Sequence, residues 1–232
     1  MRTAAILPVK RFAQAKQRLG ASVADELRLA LARAMVADVM LALAQTDAIE
    51  RTIVVTGESS VAADARDAGA IVVTDDADEG QSAAAMLGIG RALADGAERV
   101  LCVPGDCPAL DPVELERLLE AVGAGHGPDG PAVVIVPDRH GTGTNGLLLS
   151  PPDAIAPSFG PDSCARHRAL ALAAGIVPRI RRPRSLLLDI DTGADLDALG
   201  ERLAGMSERA RRTREVLALR DPPEILSFTT TA

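Results

Sequence analysis

Short apolar runs, each about the length of one strand, alternate along this chain with stretches of helical spacing. That alternation constrains the fold more than any other feature. Residues 3–9, 53–56, 70–73, 100–103, 132–136, 146–149, 176–180 and 185–188 read as strands, most of them bounded by Gly or Pro. Helices are predicted from Ser22 onward, where Val36, Val39, Met40 and Leu43 recur on one face, and over 60–68, 83–94, 112–122, 164–174 and 194–203. Ser22 and Asp25 have capping-box spacing. Strand–helix alternation predicts an α/β fold, a mostly parallel central sheet with helices on both faces. At 232 residues the chain could hold one large α/β domain or two small ones. Nothing in it resembles a linker, so a single domain is expected over 1–211. Periodicity fades beyond Leu219, and a partly disordered tail is expected over 212–232.

The formal net charge of −7 argues against a polyanionic partner. With no Trp or Tyr and three Phe, the chain also lacks the stacking platforms that bind single-stranded nucleic acid. The apolar start, Ala4 to Leu7, is too short for a signal-peptide core. The longest apolar candidate for a membrane span is interrupted by Arg33 and Asp38. Cys102, Cys107 and Cys164 form no CxxC pair and read as reduced, mostly buried thiols of a cytoplasmic protein. The chain has no GxGxxG or P-loop signature and no internal repeat, which argues against a dinucleotide enzyme or a P-loop NTPase.

The candidate chemistry centres on VLCVPGDCPAL, residues 100–110. A buried strand there ends at Pro104-Gly105 and presents Asp106 at the carboxyl edge of the sheet, where open α/β sheets bind ligands. A carboxylate in that place either satisfies turn amides or holds a hard cation such as Mg²⁺. Downstream stands Asp189-Ile190-Asp191. In an extended segment alternate side chains share a face, so the two carboxylates point together while Ile190 turns inward. Their mutual repulsion is relieved by a cation, or Asp191 caps the next helix, or both.

Lys10, Arg11, Lys16 and Arg18 follow the first strand. Such a basic loop is either solvated or set to pair with a triphosphate. Asp75, Asp76, Asp78 and Glu79 read as a solvated approach to a helix. Gly80 permits close backbone approach, and the Gln81 amide could read a base edge as donor and acceptor. The loop 138–145, DRHGTGTN, has hydroxyls and open backbone for an anion. Ser163, three residues after Gly160, opens a helix that could bind an anion or could simply be capped by that serine. The histidines, His126, His140 and His167, suggest no acid–base constellation.

In order, Leu7-Pro8-Val9-Lys10, Ala15-Lys16-x-Arg18-Leu19, Pro104-x-Asp106-x-Pro108, Gly143-Thr144-Asn145, Phe159-Gly160-x-x-Ser163 and Asp189-x-Asp191 resemble the guanylyltransferases of deazaflavin coenzyme F(420) biosynthesis. The likeness extends over residues 5–196. It implies a nucleotidyltransferase fold of the glycosyltransferase A type and an enzyme, Mg²⁺-dependent, that transfers GMP from GTP to 2-phospholactate, phosphoenolpyruvate or 3-phosphoglycerate. It further implies metal binding by Asp106, Asp189 and Asp191, and acceptor binding by Thr144, Gly160 and Ser163. Lys10, Lys16, Gly80 and Gln81 are then expected at the nucleotide. Lys16 and Arg18 would stabilise the triphosphate and the leaving pyrophosphate, joining Asp106 as catalytic residues. No general base is required, because the acceptor's phosphate oxygen is already anionic. Phosphoenolpyruvate is the preferred acceptor by analogy with bacterial members of the family. Expected partners are GTP, a phosphorylated three-carbon acid and a transient hand-off of product to the next pathway enzyme. Cys107 departs from the aliphatic residue expected there. A sugar-phosphate or molybdopterin nucleotidyltransferase would share the fold, but those enzymes usually carry a Gly-rich loop after the first strand. From a different class, a catalytically silent nucleotide-binding regulator is weighed against by the three acidic positions.

Overall fold

The computed structural model describes residues 1–12, 19, 24–123, 130–204 and 208–219. The elements run β1 (Thr3–Val9), α1 (Asp25–Ala44), β2 (Arg51–Thr56), α2 (Ser59–Asp67), β3 (Ile71–Thr74), α3 (Gln81–Ala94) and β4 (Arg99–Cys102). They continue through α4 (Pro112–Gly123), β5 (Ala132–Pro137), β6 (Thr144–Ser150), α5 (Ser163–Ala173), β7 (Arg179–Ile180), α6 (Gly193–Leu203) and α7 (Arg211–Leu217).

The strands form one seven-stranded sheet in the order β3-β2-β1-β4-β6-β5-β7. Pairings among β1 to β4, and of β5 with β7, are parallel. Only β6 is reversed, antiparallel to both β4 and β5. The reversal follows from chain length. A short loop between β5 and β6 can close a hairpin but cannot span the crossover that a parallel strand needs. The expected mostly parallel sheet is therefore present, with one inverted strand.

Both faces are covered. In β1, Ala5, Leu7 and Val9 point toward α1, α2 and α4, where they join Val36, Met40, Leu43, Val61, Leu115 and Leu119. Ala4 and Ile6 point the other way, into a layer with Ala85, Ile89 and Ala92 of α3 and Cys164 and Ala171 of α5. This is the period-2 alternation of a strand buried on both sides. A third cluster joins Leu31 and Met35 of α1 to Ile190 and to Leu196, Leu199 and Leu203 of α6.

Four local expectations give way. Residues 185–188 are not a strand. A 3-10 turn, Arg184–Leu186, stands there, with Glu114 accepting from the Ser185 amide and fixing the bend. The N-cap of α1 is Ala24, with no side-chain cap, and Ser22 lies outside the described residues. Asp191 does not cap α6. Thr192 does, in a capping box with Asp195. The tail does not begin at Arg212, because α7 is helical and docks on α1. Residues 220–232 lie outside the described residues, as does His126.

Candidate active site

The cleft at the carboxyl edge of the parallel strands has a volume of about 710 Å³. Its walls bring together Lys10, Gly80, Gln81, Asp106, Thr144, Gly160, Ser163, Asp189 and Asp191. These positions are up to 181 residues apart in sequence, and the fold gathers them. Lys16 and Arg18 lie outside the described residues.

The acidic wall is assembled by backbone and side-chain bonds. The Ile190 amide donates to the Asp106 carbonyl at 3.0 Å, pinning the 189–191 segment to the turn after β4. Ile190 is fully buried, so its neighbours on either side turn toward the cleft. Asn145 of β6 is buried and donates from Nδ2 to the Leu186 carbonyl at 2.9 Å and to Asp189 Oδ1 at 3.1 Å. Asp195 of α6 accepts from the amides of Asp191 and Thr192, and Arg139 pairs with its other oxygen. Burial, then the nearby charge of Asp106, raises the Asp189 carboxyl above the usual carboxylate range, with Asp191 adding to the effect. Among the described residues no three His, Cys, Asp or Glu side chains enclose a metal ion by themselves. The donor set is hard oxygen and leaves room for water and phosphate ligands, the mode in which Mg²⁺ usually binds. Cys107 does not enter this wall. It is buried, with Sγ 3.9 Å from the Leu186 carbonyl.

The opposite wall is the start of α5 and the loop before it. Gly160 has φ +110°, open to glycine at little cost. Arg166 binds this loop from inside α5, with Nε on Ser158 Oγ and guanidinium donors on the carbonyls of Ser158, Phe159 and Pro161. Ser82, near the start of α3, accepts from the Phe159 amide at 2.8 Å. Ser163 is the first helical residue and is buried. The N-cap is Asp162, in the left-handed region and without a side-chain bond. Two of the amides at this helix start are already satisfied. Ser163 N–H donates to the Gly160 carbonyl, and Cys164 N–H donates to the Thr142 carbonyl. What remains for a ligand is the hydroxyls and the positive end of the helix.

The sequence reading gave no site role to four residues that contribute here. Asp75 and Asp78 line the cleft instead of standing in solvent, and Asp75 Oδ1 accepts from the Asp78 amide. Asn145 was legible only as part of a motif. His167 is fully buried, 3.0 Å from the Thr144 hydroxyl through Nδ1, with the Ser158 amide donating to Nε2 at 2.8 Å. At the third strand's end, Gly80 is the N-cap of α3 with φ +100°, which places Gln81 at the cleft.

A family model for CofC-like guanylyl transferases matches residues 3–217. This chain belongs to that family. It is 49% identical over 217 residues to a phosphoenolpyruvate guanylyltransferase of Conexibacter woesei, covering 94% of this chain and 96% of the relative. A solved structure from Desulfovibrio desulfuricans G20 superposes with a TM-score of 0.74 at 16% identity, over 95% of this chain and 96% of that one. A CMP:2-keto-3-deoxy-manno-octonic acid synthetase solved with CTP superposes with a TM-score of 0.59 at 14% identity, over 89% of this chain and all of the other. The fold is thus the nucleotidyltransferase fold expected from the motifs. Family membership favours a guanylyltransferase over the sugar-phosphate and molybdopterin alternatives. Among the described residues no helix is long and apolar enough to cross a membrane.

Proposed function

We propose that this protein transfers GMP from GTP to the phosphate of phosphoenolpyruvate, releasing pyrophosphate, in the biosynthesis of deazaflavin coenzyme F(420). One observation carries the reading. A single cleft has a carboxylate wall at Asp106, Asp189 and Asp191 and a hydroxyl-bearing wall at Thr144 and Ser163. Several curated relatives that span nearly the whole chain are phosphoenolpyruvate guanylyltransferases, which supports the choice of acceptor.

An oxygen of the acceptor phosphate attacks the α-phosphorus of GTP. The bond from that phosphorus to the oxygen bridging to the β-phosphate breaks, and pyrophosphate carries away the electron pair. Because the attacking oxygen is already anionic, positioning and charge neutralisation supply most of the acceleration. Asp106, Asp189 and Asp191 would hold Mg²⁺, and the raised Asp189 pKa fits a site whose crowded charges a cation offsets. When bound, Mg²⁺ would supply positive charge to offset the negative charge that develops during transfer. Lys10 lies in the cleft and would pair with the triphosphate. Gly80 and Gln81 would meet the nucleoside end. Thr144, Gly160 and Ser163 would receive the acceptor's phosphate and carboxylate. Lys16 and Arg18 retain their assigned place at the leaving pyrophosphate on motif grounds alone. Among the described residues the buried cysteines form no disulfide, which fits a reducing cytoplasm.

The test is pyrophosphate release from GTP and Mg²⁺ across a panel of phosphoenolpyruvate, 2-phospholactate and 3-phosphoglycerate, coupled to the next pathway enzyme. Phosphoenolpyruvate should give the highest kcat/KM. Release with none of the three would reject the guanylyltransferase reading, and preference for another acid would reject the acceptor.

A further inference from the structure

His167 lies beneath the acceptor wall and has no role in the chemistry above. It touches two of its parts at once. The Ser158 backbone N–H donates to Nε2 at 2.8 Å, so Nε2 carries no proton. In a neutral ring the proton is then on Nδ1, which stands 3.0 Å from the Thr144 hydroxyl oxygen. That oxygen is thereby an acceptor, and its own proton is left to point elsewhere. Among the described residues the Thr144 hydroxyl has no second protein partner, and Thr144 lines the cleft. The Phe159 ring meets the imidazole edge-on at 5.1 Å between centroids, fixing the ring plane.

We propose that His167 is a positioning residue for the acceptor. Through Nδ1–H it orients the Thr144 hydroxyl so that the hydroxyl donates to an oxygen of the phosphorylated acid, and through Nε2 it anchors the loop that carries Gly160. The inference rests on the acceptor placement proposed above. It makes specificity partly a matter of polarity: the cleft presents a donor at Thr144, matched to an anionic oxygen, and an imidazolium would lose the Ser158 anchor.

The experiment is a set of variants assayed for pyrophosphate release with GTP, Mg²⁺ and phosphoenolpyruvate. Thr144→Val should raise the acceptor KM about tenfold to a hundredfold, since a charged oxygen loses its partner. The GTP KM should hold. His167→Asn keeps a donor near the Nδ1 position and should hold the acceptor KM within about threefold, with a lower Tm because the loop anchor is gone. His167→Gln places its amide near the Nε2 position instead and should raise the acceptor KM about as much as Thr144→Val. The His167→Gln, Thr144→Val double variant should be no worse than Thr144→Val alone. In the wild-type protein, the ¹⁵N shifts of the imidazole should show a protonated Nδ1 and a bare Nε2 near neutral pH.

Several results would overturn the inference: the opposite tautomer, equal damage from Asn and Gln, additive effects in the double variant, or a GTP KM that rises as much as that of the acceptor. Thr144→Val with an unchanged acceptor KM would remove the acceptor placement itself. An impaired Thr144→Val beside an intact His167→Gln would remove only the role of His167.

Discussion

At Asp189, burial and the charges of Asp106 and Asp191 hold the carboxyl pKa above its ordinary value, against a hydrogen bond from Asn145. A carboxyl raised in the folded state disfavours folding once both states are ionised, and that penalty is relieved as pH falls toward the raised value. Asp189→Asn should therefore raise the Tm of the metal-free protein at neutral pH while removing turnover. A lowered Tm with retained activity would contradict the metal assignment. His167 has the opposite linkage. Burial, helped by Arg166, lowers its pKa to about 4, so the fold holds it neutral where the unfolded chain would be charged. Its contribution is complete above about pH 6.5 and is lost as pH falls from there to about 4, a decline on the order of 3 kcal/mol. Thr144, the Ser158 amide, Phe159 and Arg166 are the groups that face it. Urea titrations between those pH values should show a steeper decline in the wild type than in His167→Asn. Equal slopes would mean that other groups carry the acid limb. At the acceptor wall, Ser163→Ala should lose about 1–3 kcal/mol of acceptor binding with GTP binding nearly unchanged, measured by calorimetry.

Among elements, α7 depends on a residue that the sequence presents only as an interruption. Asp38 breaks the apolar face of α1, yet it is buried, and its carboxylate accepts from Arg212 N–H, Thr213 N–H and the Thr213 hydroxyl, the last at 2.7 Å. The α7 N-cap, Ala210, has no side chain able to do this, so α1 supplies the cap in trans. Asp38→Ala should destabilise the protein by about 2–4 kcal/mol and raise amide exchange in α7, with the GTP KM unchanged. Exchange rates that stay at wild-type values would show that α7 is held by packing instead. Strand and helix positions were legible because each element has its own local signal, such as the apolar run of β4 or the Pro at the start of α4. The Asp38 cap was not legible, since its donors lie 174 and 175 residues away. The turn Arg184–Leu186 misled for a related reason. Leu186, Leu187 and Leu188 look strand-like, but Glu114 of a distant helix decides the local backbone.

Across the whole molecule, the site comes from six separate connections, and the sheet is what makes them neighbours. Nine candidate residues could be named from sequence because each sits in a local motif on a connection, after β1, β3 or β4, at the start of β6, or ahead of α5 or α6. His167 could not, because its partners on β6 and on the loop before α5 approach it only after the sheet forms. The inverted β6 matters here. Its first residue, Thr144, pairs with Pro137 at the end of β5, so the start of one strand joins the carboxyl ends of the others. A ligand spanning this cleft touches most of the fold and should stabilise it as a unit. With ligand at about 100 times its Kd, the gain is about 2.7 kcal/mol, and the Tm should rise by roughly 5–10 °C for a chain of this size. GTP with Mg²⁺ should give the full shift, and GTP with EDTA a smaller one. In Asp106→Asn and Asp191→Asn the GTP shift should no longer depend on Mg²⁺, and turnover should be lost while the protein stays folded. If EDTA leaves the wild-type GTP shift unchanged, the carboxylate wall does not act through a metal, and the neutralisation assigned to it must come from the basic loop after β1.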